Sequence, residues 1–451
     1  MSDRVPVPFH GDGAGVDVMS WGQMSIWQSI LVSGRARTLG GVDALPPGTT
    51  IADAVATLRF ALTRHPALRT RLRFDGVDDG CHLDPGGTPA PRQECAASGV
   101  VELELVDAAG DPAGAAAATM ERLQRTTFAF AEDWPVRMAV VRDGDVLTHA
   151  VGVYLHLVLD AGGLTALMAD LAHLGRGAVP PPAGETPLEQ ARRQATAGAL
   201  RQDAASLRHL ERVLRAAPAS RFGPPRTDRP ERVSMIRHRS PALLLACRAV
   251  AARDGVDTSP VLFAGFAVAL ARLTGRNPVF AMLMVHNRFR PGLAGSVSAV
   301  AQSGACLFDV AGLTVGEAVR RAVQLTIGVY KHAYYDPYRR DEVMARVNEE
   351  RGEVVDFSCY FNDRRRPGTA AGPAPTEAEV RAAPRGTSRP ATEVAIPQQK
   401  LFLRVDDAPG ALDLTISADE RYFDADGMAA LAAAIEEVAL EAALAPGRPA
   451  W

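Results

Sequence analysis

One of the chain's ten histidines, His156, stands where a proton-transfer group would be useful. It lies near the end of an apolar run, Ala150 to Leu159, and Asp160, Ala161, Gly162 and Gly163 follow. The run reads as a strand, and Asp143-Gly144 ahead of it is a hairpin turn signal. A histidine at a strand end can face a cleft while the sheet holds its backbone, which suits a general base. Asp160 could orient the imidazole as a triad carboxylate does. The spacing alone does not discriminate, because His332 and Asp336 repeat it; there it reads as a solvated helix end before Pro337. Gly162-Gly163 lacks the context of a phosphate cradle. Ser296 and Ser298 lack a Gly-x-Ser-x-Gly elbow.

Elements that would position His156 can be read on either side of it. Residues 1–15 read as a flexible lead. Helices are expected over 19–33, with Ser20 as N-cap, over 50–65, over 113–127 and over 164–174. Strands are expected at 68–74 and 81–83 around a turn at 76–80, and at 136–142 and 146–159. Gly175 to Gly184, with three consecutive prolines, reads as a linker. Beyond it come a long charged helix over 188–217, helices over 241–253 and 259–274, and a strand at 279–285. A helix over 315–335, a strand at 354–362, a last hairpin at 400–416 and a closing helix over 427–444 complete the chain. Residues 364–397, rich in Pro, Ala, Gly, Thr and Arg, read as a long mobile surface loop. The pattern is α/β or α+β in two similar lobes: an N-terminal lobe at 1–178, a linker at 179–187 and a C-terminal lobe at 188–451. Small molecules often bind between lobes.

The bulk numbers exclude several function classes. With 49 basic and 52 acidic residues the net charge is −3, so no basic surplus points to nucleic acid. The N-terminus lacks a signal pattern, and apolar stretches such as 261–270 end well short of a membrane span. Five scattered cysteines without a Cys-x-x-Cys pair point away from a zinc site or disulfide framework and fit a reducing cytoplasm.

Several segments resemble, in order, the motifs of condensation domains of nonribosomal peptide synthetases. Ser20 to Trp27 resembles a Ser-x-Ala-Gln-x-x-x-Trp opening, with Gly22 in the Ala position. Arg64 to Leu72 matches the second motif, and Trp134 to Arg137 resembles a Pro-x-Arg strand start. Leu155 to Ala161 occupies the place of the core His-His-x-x-x-Asp-Gly motif. Thr258-Ser259-Pro260, Asn287-Arg288, Phe361-Asn362-Asp363 and Tyr422-Phe423-Asp424 match later motifs. The order holds from about residue 18 to 445. Three departures stand out: Leu155 replaces the first histidine, Ala161 the glycine, and Gln302-Ser303 an Asn-Thr pair.

The resemblance implies two chloramphenicol-acetyltransferase-like lobes in a V, with a tunnel between them. It implies His156 as the working residue, with Asp160 ion-paired to Arg288 to tie the lobes. Arg64 and Arg69 would make ion pairs near the core motif, or, as a basic pair, bind the phosphate of a pantetheine arm. Leu155, Ala161, Gly162, Gln302 and Ser303 are the candidates for the tunnel or substrate side. No metal or bound cofactor is expected; a phosphopantetheine arm would arrive on a carrier protein. The expected protein is a free-standing, monomeric, cytoplasmic acyltransferase that meets a peptidyl or acyl carrier protein in trans. It would join the bound acyl or aminoacyl thioester to an amine or hydroxyl of a small acceptor. Arg364-Arg365-Arg366 and Arg192-Arg193 could dock the carrier, or be solvated surface. The alternatives are an inactive condensation-like domain that recruits a carrier protein or a tailoring enzyme, and an acyltransferase using a coenzyme A donor.

Overall fold

A computed structural model describes residues 3–74, 89–365, 373–391 and 399–451. The expected turn at 76–80 and strand at 81–83 lie outside them, as does Arg366. Helices and strands are mixed throughout, in an α/β arrangement with three sheets. The chain divides into two compact units. The first takes the chain up to Arg201 together with His286–Gln302 and Asp336–Tyr338; the second takes Gln202–Val285, Ser303–Tyr335 and Arg339–Trp451. This differs from a single cut at 179–187. The expected linker lies inside the first unit, where Gly184 N–H donates to the Gly295 carbonyl at 3.3 Å and Glu185 N–H to the Gly292 carbonyl at 2.8 Å.

The first unit holds a five-stranded sheet in the order Asp3–His10, Ser98–Asp107, Val136–Asp143, Val146–Leu155, Thr38–Ala44. The N-terminal lead is therefore a strand. Pro6 and Pro8 disguise it, and they are tolerated because the strand is an edge, while Val7 and Phe9 are buried. A second sheet of three short strands, Gly15–Val18, Arg92–Cys95 and Thr70–Arg73, lies in the same unit. The helices Ile51–Arg64 and Ala161–Gly175 place Leu58, Leu62 and Leu167 in a core with Leu103, Val136 and Leu159. The strand carrying the core motif ends at Leu155, not Leu159. Val158 N–H donates to the Leu155 carbonyl and closes a turn there.

The second unit is built on a seven-stranded mixed sheet, Gln302–Phe308, Val279–Val285, Cys359–Asp363, Leu401–Ala408, Ala411–Asp419, Val233–Ser240, Thr387–Pro390. The helix Thr258–Thr274 is buried along most of its length, as its apolar middle from Pro260 to Ala271 requires. The segment expected as one helix over 188–217 breaks into Pro187–Gln194 and Ala197–Ala216. The described parts of the expected loop at 364–397 contain a helix, Glu377–Ala382, and the edge strand Thr387–Pro390. A capping box between Thr376 and Glu379 starts that helix. His332 is half-buried and stacked on His209 at 4.5 Å, so it is not a solvated helix end. Among the described residues no single helix is long and apolar enough to cross a membrane.

The motif residues explain themselves as local structure. Ser20 and Gln23 form a capping box at the start of Trp21–Ser33: Ser20 N–H donates to Gln23 Oε1 at 2.9 Å, and Gln23 N–H to Ser20 Oγ at 3.4 Å. Arg137 donates to the carbonyls of Leu123, Thr126 and Thr127, so it caps the helix Pro112–Arg125. Arg64 Nε reaches Asp170 Oδ2 at 2.5 Å, tying the two core helices together. His65 is buried beside that carboxylate, and burial first, then the Arg64 charge, push its pKa down to about 4 despite Asp170. The folded state therefore favours neutral His65. Its contribution is complete above pH 6.5 and is lost as pH falls toward 4, by about 3 kcal/mol at most. Urea unfolding of the wild type at pH 7 and pH 4.5 should show this acid loss reduced in His65→Gln; an unchanged slope would remove His65 as its source.

Candidate active site

His156 stands one residue beyond the strand Val146–Leu155, and the ladder still holds it. Its N–H donates to the Arg37 carbonyl at 2.9 Å. Val151, Val153 and Leu155 turn to one buried face, so His156 continues the alternate set of Gly152 and Tyr154. Its Nδ1 lies 3.0 Å from the Leu159 carbonyl. A carbonyl only accepts, so Nδ1 carries the proton and Nε2 keeps its lone pair. Protein atoms crowd the ring and leave it half-buried. Burial, and then the Arg37 charge, hold its pKa below 6.5, against the opposing pull of Asp160. The group is thus a neutral imidazole with a basic nitrogen available at pH 7.

Asp160 does not touch the imidazole as a triad carboxylate would. It is 5% exposed and caps the helix Ala161–Gly175, accepting from Gly163 N–H at 2.8 Å. Its Oδ2 also accepts from Val300 N–H at 2.9 Å and Ala301 N–H at 2.8 Å. Arg288 closes the set, with Nη1 to Oδ2 at 3.0 Å and Nη2 to Oδ1 at 2.7 Å. Burial pushes the carboxyl pKa up, but the Arg288 guanidinium and the backbone donors outweigh it and hold the pKa below the usual range. Both partners belong to the first unit, so the pair ties the strand corner to the 286–302 segment within that unit. Asn287 has φ of 56°, a left-handed conformation that asparagine tolerates, and its Nδ2 donates to the Val300 carbonyl at 3.1 Å.

The other candidates divide by role. Leu155 is 4% exposed and packs in the sheet, where an imidazole would need a polar partner. Ala161 is the exposed first residue of its helix and has no left-handed backbone that would require glycine. At Gly162 a Cβ would lie 2.6 Å from Arg288 Nη1, so the guanidinium needs that space. At Gly22 a Cβ would lie 1.9 Å from the Ala299 carbonyl oxygen, which accounts for glycine in the Ala position. Gln302 is buried and its Nε2 donates to Ser25 Oγ at 3.2 Å. Ser303 belongs to the second unit, where its carbonyl accepts from the Tyr335 hydroxyl.

Arg69 is fully buried. It donates to the carbonyls of Gly11, Asp12 and Ala96 rather than forming the expected ion pair. Arg192, Arg193, Arg364 and Arg365 pair with Asp17, Glu185, Asp406 and Asp363. Two residues near the site carry no signal in the sequence. Arg37 pairs with His156 across the ladder. Exposed His286 accepts from Arg288 N–H through Nδ1 at 3.0 Å, and burial followed by the Arg288 charge lowers its pKa. Among the described residues no three or more His, Cys, Asp or Glu side chains stand together as a metal site.

Removing the Asp160 charge should be costly. Asp160→Asn leaves Arg288 buried without its counter-charge and should lose about 3–5 kcal/mol in urea unfolding. Gly22→Ala should lose about 1–3 kcal/mol through the clash with Ala299. Near-neutral values for both would show that the 286–302 segment is not held as described.

No protein-family model matches the sequence, and no curated protein matches it. Solved structures do. SgcC5 from Streptomyces globisporus is 19% identical with a TM-score of 0.69, over 96% of this chain and 100% of that one. The condensation domain of the monacolin K polyketide synthase MokA is 15% identical with a TM-score of 0.73, over 98% and 100%. The X-domain solved in complex with OxyB from teicoplanin biosynthesis is 18% identical with a TM-score of 0.69, over 96% and 94%. The chain therefore has the fold of condensation domains.

Proposed function

We propose that the protein is a condensation-type acyltransferase of natural-product biosynthesis. It joins an acyl or aminoacyl group, held as a thioester on a carrier protein, to an amine or hydroxyl acceptor. The observation that carries this reading is His156: a half-buried imidazole whose Nδ1–H is fixed by Leu159, leaving Nε2 as the base. The acceptor N–H or O–H proton passes to Nε2 as its N or O bonds to the thioester carbonyl carbon. The tetrahedral adduct then collapses, the C–S bond breaks, and the pantetheine sulfur leaves and takes up a proton. The thioester supplies the driving force, so nucleotide and metal are not needed. The protein contributes positioning and proton handling. The pantetheine arm belongs to the substrate, not to this chain.

A second reading is a module that recruits a carrier protein or tailoring enzyme and performs no chemistry. The similarity to an X-domain solved with OxyB favours it, as does Leu155 in place of a histidine.

With an acyl-loaded carrier protein and an accepted nucleophile, His156→Ala should lower kcat by about 10²–10⁴. The base must be neutral to work and its pKa lies below 6.5, so wild-type activity should hold through pH 7 and fall below pH 6.5. Equal rates in variant and wild type would remove His156 from the mechanism. Binding of a carrier or tailoring enzyme without turnover on any donor would select the recruiting role.

A further inference from the structure

Three residues far apart in the sequence meet at one edge of the second unit's sheet. Ile236, His238 and Ser240 turn to the buried face of the strand Val233–Ser240. The edge strand Thr387–Pro390 runs antiparallel to it and sets Ser388 opposite His238. Directly opposed residues of such a pair point to the same face. Ser388 Oγ lies 2.9 Å from His238 Nδ1. On the other side of the ring, Glu436 Oε2, carried by the helix Ala425–Leu444, lies 3.7 Å from His238 Nε2. A carboxylate only accepts, so Nε2 carries the proton and Nδ1 keeps a lone pair for the Ser388 hydroxyl. His238 and Glu436 are buried, whereas Ser388 is exposed. The order from solvent inward is thus hydroxyl, imidazole, carboxylate, the arrangement that activates a serine.

The surroundings support that chemistry. Glu436 accepts from Ser240 Oγ at 2.5 Å, from Gly386 N–H at 2.8 Å and from Arg385 Nη1 at 3.3 Å. Burial pushes its pKa up, but His238 and these donors outweigh burial and hold it down to about 2, so the carboxylate is charged. At Gly386 a Cβ would lie 2.1 Å from His238 Nε2, so the bare glycine backbone leaves the ring its place. The backbone of Ser388 is placed as well. Ala391 N–H donates to the Met235 carbonyl at 3.0 Å, and bonded pairs alternate along an antiparallel ladder. Thr387 and Arg389 therefore hold the bonded positions, while Ser388 and Pro390 turn their backbone groups to the outer edge, where a proline is tolerated. Ser388 N–H can then receive the oxygen of a carbonyl that Oγ attacks. We propose that Ser388 and His238 form a second catalytic site, positioned by Glu436, that hydrolyses small acyl esters and thioesters. Oγ bonds to the carbonyl carbon as its proton passes to Nδ1. The bond to the leaving oxygen or sulfur breaks, and that atom takes the proton from Nδ1. Water, deprotonated by Nδ1, then attacks the acyl-serine, releases the carboxylic acid and restores the hydroxyl. A sheet edge offers a flank rather than a cleft, which suits short acyl groups. His238, Ser388 and Glu436 all belong to the second unit and His156 to the first, so this proposal does not rest on the condensation reading.

Two measurements on the full chain test it. In the first, the protein is treated with a fluorophosphonate probe and the labelled residue is located by peptide mass spectrometry. Ser388 should carry the label, and His238→Gln should slow labelling by about 10²-fold or more. Wild type that stays unlabelled, or that is labelled elsewhere and not at Ser388, would overturn the proposal whether or not His238→Gln folds. In the second, hydrolysis of p-nitrophenyl acetate and of an acetyl thioester of N-acetylcysteamine is followed. Ser388→Ala removes only an exposed hydroxyl, so it should fold as the wild type does and lose about 10²-fold or more in kcat. Glu436→Gln should lower kcat with little change in KM, because the carboxylate acts on His238 and not on the ester. Equal hydrolysis by Ser388→Ala and wild type would reduce the three residues to a clasp on the edge strand and reject the site.

Discussion

Asp160 is the interaction on which the first unit's site depends. A carboxylate almost wholly out of water is costly unless its lone pairs are filled. Here three backbone N–H groups and both arms of Arg288 fill them. The same atoms fix the start of a helix, the corner after a strand and the path of residues 298–301. His156 lies on that corner, and its Nδ1 bonds to the Leu159 carbonyl next to Asp160. The carboxylate thus orients the base through the backbone rather than by touching it.

The 286–302 segment approaches its neighbours closely because those neighbours are glycines. Beyond Gly22 and Gly162, a Cβ at Gly163 would lie 2.8 Å from the Ser298 carbonyl oxygen, and one at Gly184 would lie 2.4 Å from Ser296 N. Polar side chains complete the fit. Gln190 Nε2 donates to Ser296 Oγ and Ser298 Oγ at 2.9 and 2.8 Å. Small residues where backbones meet, together with a filled carboxylate, let a segment late in the sequence belong to the first unit.

Features encoded locally were the legible ones. The Ser20–Gln23 capping box, the amphipathic helix Ile51–Arg64 and the hairpin before His156 each announce themselves over a few residues. The ordered motifs identified the fold and singled out His156, Asp160 and Arg288. What stayed hidden depends on contacts between distant parts of the chain. Arg37 gains its place only through the register of two strands far apart in sequence. Arg69 reads as one half of an ion pair near the core motif and is instead a buried clamp on three carbonyls. The N-terminal strand was masked by two prolines that only an edge position allows, and the apparent linker proved to be docked chain.

The site can act as a base only if His156 is a neutral imidazole with the proton on Nδ1 and the lone pair on Nε2. The ¹⁵N shifts of the His156 ring in the ligand-free protein at pH 7.5 test it most directly. A protonated Nδ1 and an unprotonated Nε2, with a titration midpoint below 6.5, is the predicted result. A proton on Nε2, or a midpoint above 6.5, would contradict the account.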